Sequence, residues 1–326
     1  MPRYSRAILA SFAGGVLLLA LFPLWGDTFY IRFFTRIMVY ALFAMSLDLL
    51  VGYAGLVSLG HAAFFGVGIY AVAGLINKAG IAELWAVLPA ALGSAAVLAA
   101  AIGWISIRTT GVYFIMITLA LAQMAYYFFN DQLYWGGTDG INIASRPVLA
   151  LGGVTLIDFD NRVQFYYLTL ACLVGAFALL SVMLRSPFGH ALVGIRANEG
   201  RMRSLGYDVQ AYKLVAFTVA GTLAGLAGFL EAARATFATP AYLGWHESGH
   251  VLMIVILGGM GTLFGPVIGA FVLLLMEDYF ATLTERWLLI EGLFVMAVAL
   301  LMPRGIAGLP RAIAALLKPR RETGDG

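Results

Sequence analysis

Apolar segments follow one another along almost the whole chain, near residues 7–25, 33–51, 58–77, 84–107, 111–129, 163–184, 213–233, 248–264, 266–283 and 287–302. A membrane-spanning helix needs roughly 20 apolar residues, with a range of about 17–25. Backbone polar groups in lipid must be satisfied within the segment, so segments of this length are read as helices. Composition agrees. The chain is 62% hydrophobic and 11% charged, where soluble domains average about 45–50% and about 25%. The sequence therefore predicts an all-α integral membrane protein. It has about ten transmembrane helices (eight to ten), with broken helices around 248–283, in one transmembrane domain over residues 1–326. Arg3 and Arg6 precede the first run, and no small-residue cleavage site follows it, so it reads as an uncleaved first helix. Cys172 is the single cysteine, which leaves no intrachain disulfide.

One long polar segment interrupts the second half, residues 185–213, with Arg185, Arg196, Arg201, Arg203 and Lys213 against Glu199 and Asp208. If every apolar segment crosses, thirteen of the 20 Lys and Arg lie on the side of this segment and seven on the other. Basic excess marks the cytoplasmic side. The expected topology puts both termini, the 185–213 segment and a tail over 303–326 in the cytoplasm. Within the segment, Leu192, Ile195, Met202 and Leu205 share one helical face. Gly200 is a candidate break, and Gly206 a natural C-terminal cap. Two readings stay open: a solvated basic loop that fixes topology, or amphipathic helices lying across the cytoplasmic surface.

Two glycine-rich stretches lie at junctions between apolar segments. The first runs from Gly52 through Ser58, Gly60 and His61. The second contains Gly258, Gly259 and Gly261 and ends in Gly265-Pro266. Irregular backbone at membrane depth is tolerated where protein or a water-filled cavity satisfies it, and it often borders a transport path. Small residues also let helices pack closely. Both readings stand, with a weak internal repeat as a further possibility. Asp48 and His61 are the ionisable residues expected to be buried. Glu231, Arg234, Glu277 and Asp278 lie near enough to segment ends to reach water. No Gly-Lys pair exists, so no P-loop can form. The four histidines form no metal set, no cofactor is called for, and the dispersed basic residues do not suggest nucleic acid.

The runs Ile195-Arg196-Ala197-Asn198-Glu199, Ser204-Leu205-Gly206-Tyr207-Asp208-Val209 and Ala224-Gly225-Leu226-Ala227-Gly228 resemble the permease subunits of branched-chain amino acid ABC importers, the LivM-like family. Ser58-Leu59-Gly60-His61-Ala62-Ala63-Phe64-Phe65-Gly66 and Ile256 through Pro266 look like further signatures of that family. The resemblance covers residues 35–305. It implies a permease of the type II ABC importer kind in a bacterial inner membrane, without enzymatic activity of its own. The implied partners are separate ATP-binding subunits, a second, homologous permease, an external substrate-binding protein and the lipid bilayer. It also implies that the 185–213 segment is a coupling loop, with Ala197, Asn198, Glu199, Gly200, Arg201, Met202, Leu205 and Gly206 at the ATPase contact. The run Gly200-Arg201-Met202-Arg203 departs from the small apolar residues frequent there in relatives. Asp48, Ser58, Gly60, His61, Gly258, Gly259 and Gly261 are the translocation-path candidates. The family also serves urea and short amides. Outside it, the alternative is an ion-coupled secondary transporter, which would want buried carboxylates near mid-membrane.

Overall fold

A computed structural model describes residues 6–24, 27–151, 154–302 and 305–308. Its helices are α1 (Arg6–Leu21), α2 (Thr28–Asp48), α3 (Ala62–Ala79), α4 (Leu84–Ser106), α5 (Val112–Asp131), α6 (Arg162–Arg185), α7 (Pro187–Ala197), α8 (Glu199–Ser204), α9 (Val209–Ala235), α10 (Trp245–Gly258), α11 (Gly265–Leu283) and α12 (Trp287–Leu301). Among the described residues, eight helices are long and apolar enough to cross a membrane. These are α2 to α6, α9, α11 and α12 with its extension. The chain is a multi-pass membrane protein. The other two apolar segments form shorter helices, α1 with 16 residues and α10 with 14.

α2 is the axis of the molecule. From Ile37 to Leu50 every residue is buried, because α6, α9, α10 and α11 all pack around it. A π-helical turn, Leu49–Ala54, continues α2 and ends at Gly55. Residues 55–61 are then non-helical yet mostly buried, and α3 begins beside Ser46 and Phe43 rather than at the end of α2. The close packing of α3, α4 and α9 follows from small residues. A side chain at Gly68 would meet the backbone of Gly225, and one at Gly221 or Gly225 would meet Ala99 or Ala95.

The two faces are set by the long helices. α6 has 24 residues, about 36 Å at 1.5 Å per residue, so its ends lie on opposite faces. α7 and α8 follow its C-terminal end, and α9 starts beside them and ends at the other face. Residues 132–161, on that opposite face, form short 3-10 turns and short strands. Ile141–Asn142 pairs with Phe237–Ala238, and Val148–Leu151 with Val154–Asp158. Of the expected tail over 303–326, residues 305–308 are described; the remainder, Arg304 included, and Arg3 lie outside the described residues.

Candidate coupling site and the helix breaks it touches

Ser186 leads into α7 with Pro187 at its first position, where a missing N–H costs nothing. Gly189 lies against the Leu184 backbone, which folds α7 tightly back on α6. Leu192 and Ile195 are buried against the body. The helix breaks at Asn198, not Gly200. Asn198 is extended, and its Oδ1 accepts from the Arg201 N–H at 2.9 Å, which caps α8. Gly200 lies within α8. Gly206 has φ +86° and follows the α8 end, the left-handed position where glycine is favoured.

The break redirects the apolar stripe. Met202 packs on Gly194, where an added Cβ would come 2.8 Å from its sulfur. Leu205 turns away and is 67% exposed. Ala197, Arg201 and Arg203 are exposed as well. Glu199 is engaged within the chain. It accepts from Lys213 Nζ at 2.7 Å and from Arg203 Nη2 at 3.0 Å, which ties α8 to the second turn of α9.

Arg196 is exposed over much of its length, but its guanidinium turns back to the body. Its Nη1 donates to the Gly52 carbonyl at the π-turn after α2. Its stem covers Gly55, where φ is +72° and a Cβ would come 2.9 Å from Arg196 Cγ. It also reaches Gly261: a Cβ there would lie 3.5 Å from Nη1 and 3.1 Å from the Gly52 carbonyl. Gly261 N–H donates to Asp48 Oδ1 at 2.8 Å, and Asp48 is fully buried. A side chain at Gly52 would collide with Asp48 and the Gly261 backbone. The two glycine-rich breaks thus meet each other, and one guanidinium from α7 is bonded to the first and stands beside the second. Gly258 and Gly259 complete the turn before α11, where Gly258 lies against the Gly265 carbonyl and Thr262 Oγ1 donates to the Gly259 carbonyl at 2.7 Å.

Ser58, Gly60 and His61 sit deeper. Ser46 Oγ donates to the Phe43 carbonyl at 2.6 Å and lies 2.8 Å from His61 Nε2, so Nε2 is the donor of that pair. Nδ1 is left as a buried acceptor without a partner among the described residues. Ser58 Oγ accepts from the Gly60 N–H at 3.2 Å, and Ser248 Oγ of α10 accepts from the Ala62 N–H at 2.9 Å. Gly60 lies against the Thr118 carbonyl of α5. These groups form a polar spot where α2, α3, α5 and α10 converge.

Toward the opposite face the structure gathers ionisable groups that sequence position alone had left at the water boundary. Glu231 is 1% exposed. It receives two N–H bonds from Arg234 at 2.6 and 2.8 Å and one from the Tyr242 hydroxyl at 3.3 Å. Arg36 pairs with Glu277 at 3.2 Å, and His250 Nε2 stands 4.0 Å from the same carboxylate. Arg36, Glu231 and Glu277 come from three helices more than 40 residues apart in sequence, so no local pattern could have announced the set. Asp278 does remain exposed.

A family model described as the branched-chain amino acid transport system permease component matches residues 29–302. The chain belongs to this permease family. The permease is 31% identical over 296 residues to the high-affinity branched-chain amino acid transport system permease protein LivM of Escherichia coli K12, covering 85% of the chain and 69% of that protein. It is 23% identical over 286 residues to LivH of the same strain, covering 83% and 92%. It is also 27% identical over 171 residues to the xylose transport system permease protein XylH of Haemophilus influenzae, covering 49% and 44%. No solved structure matches it significantly.

Proposed function

We propose that the permease conducts branched-chain amino acids as one subunit of an ATP-driven importer in a bacterial inner membrane, with the α7–α8 face and both termini in the cytoplasm. Its partners on this reading are separate ATP-binding subunits at α7 and α8, a second permease and an external binding protein. The whole chain acts as a single transmembrane permease domain, with 185–213 as the segment through which ATP-driven motion enters.

One observation carries the reading. Arg196 connects the exposed α7–α8 surface to the Gly52 break and reaches the Gly261 break. A push on α7 therefore acts at the ends of both α2 and α10 without a long relay. Ala197, Asn198, Gly200, Arg201, Met202, Leu205 and Gly206 shape or present that surface, while Glu199 holds it to α9. Asp48, Gly258, Gly259 and Gly261 then belong to the inner gate, and Ser58, Gly60 and His61 to the path above it.

The test is reconstitution of the permease with its second permease, ATPases and binding protein in vesicles. Leucine uptake should require internal or external ATP on the ATPase side and no ion gradient. Uptake that follows an ion gradient without ATP would sink the importer reading. Uptake of urea or short amides in place of leucine would move the substrate within the family.

A further inference from the structure

We infer that the permease holds an anionic phospholipid by its phosphodiester headgroup in a pocket on the face opposite α7 and α8. The pocket has a volume of about 370 Å³, inside the range of about 300–1,000 Å³ common for ligand sites. Four of its lining residues are Arg32 at the start of α2, Arg146 in the 132–161 connection, Arg162 at the start of α6 and Arg234 near the end of α9. None is adjacent to another in sequence, and the fold alone brings them to one cavity.

The charges do not cancel. Arg234 is held by Glu231. Arg146 pairs with Asp160 at 2.6 Å and donates from Nε to the Ala233 carbonyl at 3.1 Å. Arg32 and Arg162 are exposed and make no ion pair with a described residue. Among the described side chains, four guanidinium groups therefore meet two carboxylates, and the two without an ion pair, Arg32 and Arg162, are exposed. Guanidinium groups in this fork geometry suit phosphate oxygens.

The surroundings point to an amphiphile. Phe29 and Tyr30, 61% and 52% exposed, lie in the first turn of α2 just before Arg32, and Tyr167 is exposed a turn and a half beyond Arg162 on α6. Exposed aromatic rings at helix ends mark the headgroup layer of a bilayer. Ile31 and Phe165 line the same pocket but are buried, at 6% exposure each, so the apolar surface beside the arginines is that of the exposed Phe29, Tyr30 and Tyr167 rings. A small soluble anion would have no use for that surface. This inference does not rest on the transported substrate.

The test uses the full-length permease in a neutral detergent. Native mass spectrometry measures retention of dioleoyl phosphatidylglycerol against dioleoyl phosphatidylcholine. The wild type should prefer the anionic lipid at least about ten-fold, and the preference should shrink as salt rises. The paired change Arg32→Gln and Arg162→Gln should bring the ratio close to one. Arg108→Gln, which removes the cation stacked on Trp104 at 4.3 Å near the other face, should leave it intact. Soluble glycerol phosphate in millimolar excess should not displace the lipid. Equal retention of the two lipids by wild type overturns the proposal. So does an unchanged preference in the double variant, or in Arg162→Gln alone if the double variant loses thermal stability. Displacement by glycerol phosphate would make this a plain anion site. Loss of binding-protein attachment with lipid preference unchanged would make it a docking surface for acidic protein side chains.

Discussion

At the residue scale, Arg196 is where surface and interior meet. It is one of five basic residues in a basic segment, and charge counting treats all five alike. The structure separates four of them: Arg201 is exposed, Arg203 and Lys213 both pair with Glu199, and Arg196 reaches back to the π-turn after α2. A hydrogen bond to a charged group contributes about 1.5–3 kcal/mol when well buried, and less in an exposed setting such as this. Arg196→Ala should leave folding and ATPase co-purification near wild type and lower ATP-driven leucine uptake about ten-fold. Measuring hydrolysis and uptake on one preparation checks it. Unchanged uptake per ATP would show that the link to Gly52 transmits nothing. Gly60 and Gly261 are the candidates for a bend beside the path, and the structure gives their constraint a concrete form: a Cβ at Gly60 would strike the Thr118 carbonyl, and Gly261 has φ +75° with the Gly52 carbonyl 3.1 Å from where its Cβ would lie.

At the element scale, the α7–α8 pair shows how one polar side chain overrides a hydrophobic pattern. Leu192, Ile195, Met202 and Leu205 lie on one stripe only if the helix is continuous. Asn198 caps α8, the axis turns, and Leu205 is left exposed while Leu192 is fully buried. The two leucines should then respond differently to the same change. Leu205→Asp should alter stability by no more than about 0.5 kcal/mol, as surface substitutions do, and weaken co-purification of the ATP-binding subunits. Leu192→Asp would bury a charge without a partner and should fail to accumulate in the membrane. Full ATPase retention in Leu205→Asp would remove α8 from the contact surface. Leu205→Pro is a blunter probe, because α8 already ends at Ser204 and only the Leu205 N–H bond to the Arg201 carbonyl, at 3.1 Å, would be lost.

On the scale of the whole molecule, α6 and α9 place the α7–α8 segment and the 132–161 connection on opposite faces. With Cys172 changed to Ser, single cysteines at Gly200 and Thr138 should label from opposite sides of the membrane, Thr138 from outside intact cells. Thr138 is the better outer probe because it is exposed, whereas Gly137 is buried with φ +56°. Labelling of both from one side would break the topology. The same scale brings together the two glycine-rich stretches that lie far apart in sequence. The first follows α2 and precedes α3. The second joins α10 to α11, and the two press against each other at Gly52 and Gly261.

The sequence by itself determined what local chemistry controls. Apolar runs of bilayer length specify helices, because backbone groups in lipid have no other partner. The long polar segment had to leave the membrane, and three ordered motifs carried the resemblance to the family. Even the capping glycine at 206 was legible, since few residues accept its φ. Tertiary structure decided everything that depends on which helices are neighbours. Asp48 bonds to Gly261 across 213 residues, Arg196 to Gly52 across 144, and Arg36 to Glu277 across 241. Hydropathy assigns depth along a helix but says nothing of rotation about its axis or of the helix it faces. For that reason Glu231 and Glu277 looked water-accessible from their place near segment ends, while packing against α2 buried one and half-buried the other.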